Sequence, residues 1–158
     1  MRPIVLLDLD GVLNPFAAPA CPDGYREHDF FEGEQPDRYC VAHGRWIEDL
    51  AAVAGVWWAT GWGPHANERY LPMLGVRPLP VVHFPAPVPF DPELKVPAVD
   101  AAVGDRPVAW LDDNHTPAGR TWAAARAAPT VLVDIDPAIG WTRGDVDRVL
   151  DWARAAAR

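Results

Sequence analysis

The sequence predicts an α/β fold, a parallel sheet wrapped by helices. Three observations predict it. Short apolar runs recur along the chain, helix-like segments lie between most of them, and polar residues able to do chemistry follow the runs. Alternating strands and helices build βαβ units, whose strands lie parallel because each helix returns the chain across the sheet. In such sheets the ligand crevice lies beyond the carboxyl ends of the strands. The fold class therefore also says where to look for function.

A first strand is expected over residues 4–7, where Ile, Val, Leu and Leu suit a buried position. Asp8 and Asp10 follow, separated by Leu9, so a period of two sends both carboxylates to one side. Residues 15–42 break the rhythm, and connections of that length are usually functional or disordered. This stretch is rich in Pro and Gly but also holds Phe16, Tyr25, Phe30, Phe31 and Tyr39. Within it, residues 28–41 read as two short strands around a polar turn, a flap-like hairpin. Residues 43–54 carry Trp46, Ile47, Leu50 and Val53 at helical spacing. A strand over 56–59 ends in Thr60 and Gly61, with Trp62 next. The spacing then predicts a helix over 64–74 with an early Pro and a stop at Gly75. A strand over 80–84 comes next. The helix over 92–103 puts Leu94, Val96, Val99 and Val103 on an apolar surface and Pro97 in its first turn. A strand over 108–111 runs into Asp112 and Asp113, followed by an Ala-rich helix over 116–127 and a strand over 131–133. The last helix, 145–156, follows a Thr142-x-x-Asp145 capping box. With no internal repeat and no long linker, residues 1–158 read as one domain.

Composition narrows the class. Apolar residues make up 49% of the chain, enough for a sizeable core. A net charge of −8 without a basic stripe argues against an extended nucleic-acid surface. No signal peptide or membrane span is evident, and two cysteines make no disulfide framework, so a soluble cytoplasmic protein is expected.

In a parallel sheet, Asp8, Asp10, Thr60, Asp112 and Asp113 converge at one edge, and Lys95, near the start of a helix, precedes the fourth of the core strands. Close carboxylates repel by about 4 kcal/mol per pair at an intermediate dielectric. They need a cation, and hard oxygen ligands suit Mg²⁺. A hydroxyl, a glycine amide and an ammonium are the groups that bind the remaining oxygens of a phosphate. Lys95 is the one lysine among thirteen arginines, which draws attention to its site.

These motifs, in this order, resemble those of the haloacid dehalogenase (HAD) superfamily of phosphatases. "DLDGVLN" is similar to the first motif, Thr60 to the second, Lys95 to the third and "LDDN" to the fourth. The resemblance implies a three-layer Rossmann-like parallel sheet with helices on both faces. It places a squiggle and a small flap-type cap in the segment after the first strand. It implies an aspartyl-phosphate on Asp8, with Asp10 protonating the leaving alcohol and then deprotonating water. Thr60 would hydrogen-bond the phosphoryl group, and Lys95 would offset its charge. Mg²⁺ would be held by Asp8, the Asp10 backbone carbonyl, and Asp112 or Asp113, with the choice between those two left open. Gly11 would permit the tight turn. "WATGW", Asn67, "LGVRPLP" and "WLDDNH" are also similar to HAD domains associated with bacterial RNA-repair proteins. That narrower resemblance implies a phosphorylated small molecule, a nucleotide or a polynucleotide end as substrate. So small a cap implies an open cleft, or a lid borrowed from a second copy in a homodimer.

Three other features have plainer readings. Trp62, beside the phosphate site, and Gly61 are the candidates for touching substrate, Trp62 by stacking. Cys21, His28, Cys40 and His43 include one zinc-like spacing, Cys40-x-x-His43, but the other pair is irregular, so loop residues without metal are expected. Asp134 and Asp136 repeat the look of Asp8 and Asp10, but Pro137 replaces the following glycine. A phosphotransferase is the rival enzyme. A receiver-like signalling module is the rival binding protein, but its acidic pair would come first in the chain, not after Lys95.

Overall fold

A computed structural model describes residues 1–85 and 90–158. Four parallel strands form its sheet in the order β4-β1-β5-β6. These are β1 (Ile4–Leu7), β4 (Gly55–Trp58), β5 (Val108–Asp112) and β6 (Thr130–Asp134). All four β1 residues are buried because both faces of the sheet are covered. Alternate side chains divide between two cores. Val5, Leu7, Val56, Trp58, Ala109 and Leu111 pack with α1 (Ala42–Val53) and α4 (Arg143–Ala156). Ile4, Leu6, Val108 and Trp110 pack with α2 (Lys95–Val103) and Trp122 of α3 (Pro117–Ala125). The chain is thus an α/β protein with helices flanking a parallel sheet.

Register fixes where the functional residues fall. Leu7 lies opposite both Trp58 and Leu111, so β1, β4 and β5 reach the same level. Asp8, Thr60 and Asp112 follow at one edge. The chain leaves β1 for a neighbour on one side and then crosses to the other, which places this edge at a switch in strand order.

Three expected elements differ. Residues 80–84 form no strand. Val81 makes a single bridge to Trp58, and among the described residues the sheet has four strands rather than five. Pro78 and Pro80 lack the amide hydrogens that would extend the ladder. Residues 64–74 form a π-helical turn, Ala66–Tyr70, and a 3₁₀ turn, Leu71–Leu74, instead of one α-helix. Pro72 has no N–H for the carbonyl four residues back, so regular bonding stops. Gly75, at φ 68°, ends the segment. Likewise residues 92–94 are 3₁₀, and α2 starts at Lys95, with Pro97 in its first turn. The capping box on α4 is present in both directions.

The hairpin between β1 and α1 consists of β2 (Arg26–His28) and β3 (Asp37–Tyr39), paired antiparallel. It is held by several hydrogen bonds. Tyr70 Oη donates to the Arg38 carbonyl at 2.9 Å, and Arg69 donates to the Phe30 carbonyl at 2.7 Å. Arg38 donates to the carbonyls of Pro15 and Ala18, both at 2.9 Å. Of the four Cys and His residues considered for zinc, Cys21 is exposed, while His43 is buried against Tyr25, Trp46 and Trp141. Burial pushes the His43 imidazole down to about 3. No helix among the described residues is long and apolar enough to cross a membrane.

Candidate functional site

Lys95, the first residue of α2, carries its side chain into the sheet edge and is only 4% exposed. Its Nζ donates to Asp8 Oδ2 at 2.9 Å and to Asp112 Oδ2 at 2.7 Å. Asp8 leaves the end of β1 and Asp112 ends β5, so the ammonium joins two adjacent strands. The other oxygens are also engaged. Asp8 Oδ1 accepts from the Leu9 amide at 2.7 Å, and Asp112 Oδ1 accepts from the Asn114 amide at 3.0 Å. Burial pushes the Asp8 carboxyl up to about 6, against the opposing pull of Lys95. Burial also raises Asp112 and Asp113. For Lys95, burial opposes the charge, but Asp8 and Asp112 outweigh it and hold the ammonium above the ordinary lysine value.

Asp113 completes an acidic trio. One oxygen each from Asp8, Asp112 and Asp113 lies within 4.8 Å of the others, the one such grouping of metal-ligating side chains among the described residues. Fully ionised, three carboxylates against one ammonium would leave two negative charges, the charge that one divalent cation neutralises. Gly11 makes room for this cluster. Its φ is +80°, and a Cβ there would collide with the Asp113 carboxyl, so a side chain is excluded on both counts.

The side chain of Asp10 is held apart from the trio. Asn14 Nδ2 donates to its Oδ1 at 2.9 Å, and Trp62 Nε1 donates to its Oδ2 at 2.9 Å. Burial raises the Asp10 carboxyl, and these two hydrogen bonds oppose the rise. Thr60 is buried, and its Oγ accepts from the Trp62 amide at 3.3 Å. Accepting leaves the hydroxyl hydrogen free to donate elsewhere.

All eight residues singled out in the sequence (Asp8, Asp10, Thr60, Gly61, Trp62, Lys95, Asp112 and Asp113) line one cavity of about 540 Å³. Asp134 lies outside it, exposed and paired with Arg120 at 2.6 Å. The sequence reading missed Asn14, which is 1% exposed and bonds both Asp10 and Asp37, each at 2.9 Å. The signal available was a short polar residue directly after Val12 and Leu13, inside a quoted motif. Phe31 and Phe90, which also line the cavity, carried no signal beyond being aromatic.

No family model and no curated protein matches the chain. Its fold is similar to the crystal structure of a hypothetical protein from Xanthomonas campestris. The TM-score is 0.51 and the identity 20%, over 98% of this chain and 82% of that one. At that identity the likeness bears on the fold alone.

Proposed function

We propose that the chain is a Mg²⁺-dependent phosphomonoester hydrolase of HAD type, acting through an aspartyl-phosphate on Asp8. The observation that supports this most is the buried Lys95 ammonium shared by Asp8 and Asp112, beside Thr60 and a third carboxylate at one sheet edge. A structural ion pair needs one carboxylate. Three of them, with uncompensated charge in a cavity, fit a metal and a transferring phosphoryl group.

Asp8 supplies the nucleophilic oxygen, which bonds phosphorus as the bond to the leaving alcohol breaks. Asp10 gives that alcohol its proton, then takes one from the water that attacks phosphorus and releases Asp8. Thr60 donates its free hydroxyl hydrogen to a phosphoryl oxygen, and Lys95 offsets developing negative charge. Asp8, Asp112 and Asp113 are the side chains that would hold Mg²⁺, which supplies charge neutralisation at the phosphoryl oxygens.

For substrate we assign nucleotides or the phosphorylated ends of short oligonucleotides. Phe31 and Phe90 put aromatic rings in the cavity wall for a base to meet, and Glu34 there, with the net charge of −8, disfavours a long polyanion. The test is release of phosphate from p-nitrophenyl phosphate with Mg²⁺. Activity should disappear in EDTA and in Asp8→Asn, whose circular dichroism should match wild type. Full activity in Asp8→Asn would remove Asp8 as nucleophile. Better turnover of sugar phosphates than of nucleotides would overturn the substrate class.

A further inference from the structure

The geometry points to Trp62 as a positioning residue for Asp10, its indole N–H and the Asn14 amide together fixing the carboxyl that serves the leaving group. This rests on the hydrolase reading above. Each donor takes a different oxygen, Asn14 Nδ2 on Oδ1 and Trp62 Nε1 on Oδ2, both at 2.9 Å. Two contacts on two oxygens set the plane of a carboxyl, where one would leave it free to swing. Each oxygen has a second lone pair, so both contacts leave room for the transferred proton.

Both donors are themselves held. Asn14 is buried, and its Oδ1 accepts from the Arg38 amide at 3.0 Å, while its Nδ2 also reaches Asp37. The Trp62 ring meets Phe30, Phe31 and Tyr70 edge-on, with centroids 5.5, 4.8 and 5.8 Å away. Such packing fixes the indole plane and aims its one donor. Its backbone amide donates to Thr60 Oγ, so one residue orients both the Asp10 carboxyl and the Thr60 hydroxyl. A group that must meet a leaving oxygen gains from being held in place before substrate arrives.

The test is kcat/KM for two esters in the presence of Mg²⁺, p-nitrophenyl phosphate and an alkyl phosphate. Nitrophenolate leaves without a proton; an alkoxide does not. Trp62→Phe keeps a ring against Phe30, Phe31 and Tyr70 but loses the N–H. General acid help is worth roughly a hundred- to ten-thousand-fold, so losing its alignment should lower the alkyl value by about tenfold or more. The aryl value should fall much less. Replacement of the indole by benzothiophene, which exchanges N–H for sulfur at nearly the same size, should give the same split and covers the case where phenylalanine packs poorly. Equal falls on both esters would overturn the inference, since they mean a purely structural ring. A larger fall on the aryl ester would overturn it too, since that means the ring stacks on substrate. Wild-type protein inactive on both esters would instead overturn the hydrolase reading, and this inference with it.

Discussion

Lys95 holds two buried carboxylates at hydrogen-bonding distance, so its loss acts on stability as well as on chemistry. Lys95→Met should cost about 3–5 kcal/mol in urea unfolding with EDTA, the range for removing one partner of a buried ion pair. Adding Mg²⁺ should restore part of that loss, because a cation then again faces Asp8 and Asp112. Unchanged stability in EDTA would show that the pair is not buried in solution. His43 tests the converse, a buried group held neutral. Its folded value of about 3 lies below the ordinary 6.5, so the native state resists a proton that the unfolded chain accepts. Above pH 6.5 both states are neutral, and the stability His43 contributes is fully present. It is lost as pH falls toward the folded value, with a slope of about 1.4 kcal/mol per pH unit. Asp8 and Asp37, raised to about 6, titrate with the opposite sign, so wild type must be compared with His43→Phe at each pH. The gap should move in favour of phenylalanine below pH 6.5. A constant gap would sink the idea. Carboxylates directly after apolar runs pointed to Asp8, Asp10, Asp112 and Asp113, while Thr60 and Lys95 were legible through their order among those motifs. These signals did not reveal that Asn14 and Trp62 take the two oxygens of Asp10. Asn14 sits only four positions on but in a tight turn with no periodic pattern, and the Trp62 contact spans 52 positions, which leaves no trace in a sequence.

Among the elements, α4 shows how local sequence can settle a boundary. Thr142 Oγ accepts from the Asp145 amide, and Asp145 accepts from the Thr142 amide at 2.7 Å. Thr142→Ala should cost about 1 kcal/mol of unfolding free energy. The proposed phosphatase activity at ambient temperature should be unchanged, because Thr142 does not line the cavity. A variant as stable as wild type would show that the cap contributes nothing. The strands and helices with strong periodicity were legible for the same reason: the signal lies within a few neighbouring residues. Residues 64–74 and 80–84 were harder. Their apolar residues are spaced suitably, but Pro72, Pro78 and Pro80 withhold donors, and how far a ladder survives such gaps depends on distant partners. Asn67 is one of these, accepting from the Trp58 indole at 3.0 Å and bonding both backbone groups of Leu79.

At the scale of the whole molecule, a cation held by Asp8, Asp112 and Asp113 would tie β1 to β5 and so bind the folded state alone. Mg²⁺ at about a hundred times its dissociation constant should add roughly 2.7 kcal/mol. For a chain of this size that raises the melting temperature by about 5–10 °C. Scanning calorimetry with Mg²⁺ and with EDTA measures it without any substrate, and identical melting curves would argue against a bound cation. The layered arrangement was legible because alternation of strand and helix is a property of the whole chain, whereas strand order was not, since no local signal says which side of β1 a later strand will take. That order has a consequence for biosynthesis. β4 emerges from the ribosome soon after the hairpin and can pair with one side of β1. The other side must wait for β5, whose last residue is Asp112, well over half the chain later. At about 5–20 residues per second, β1 spends several seconds as an edge strand of four apolar residues, open to pairing with the wrong chain. A nascent chain stalled before Asp112 therefore has neither a finished sheet nor the second carboxylate that Lys95 holds.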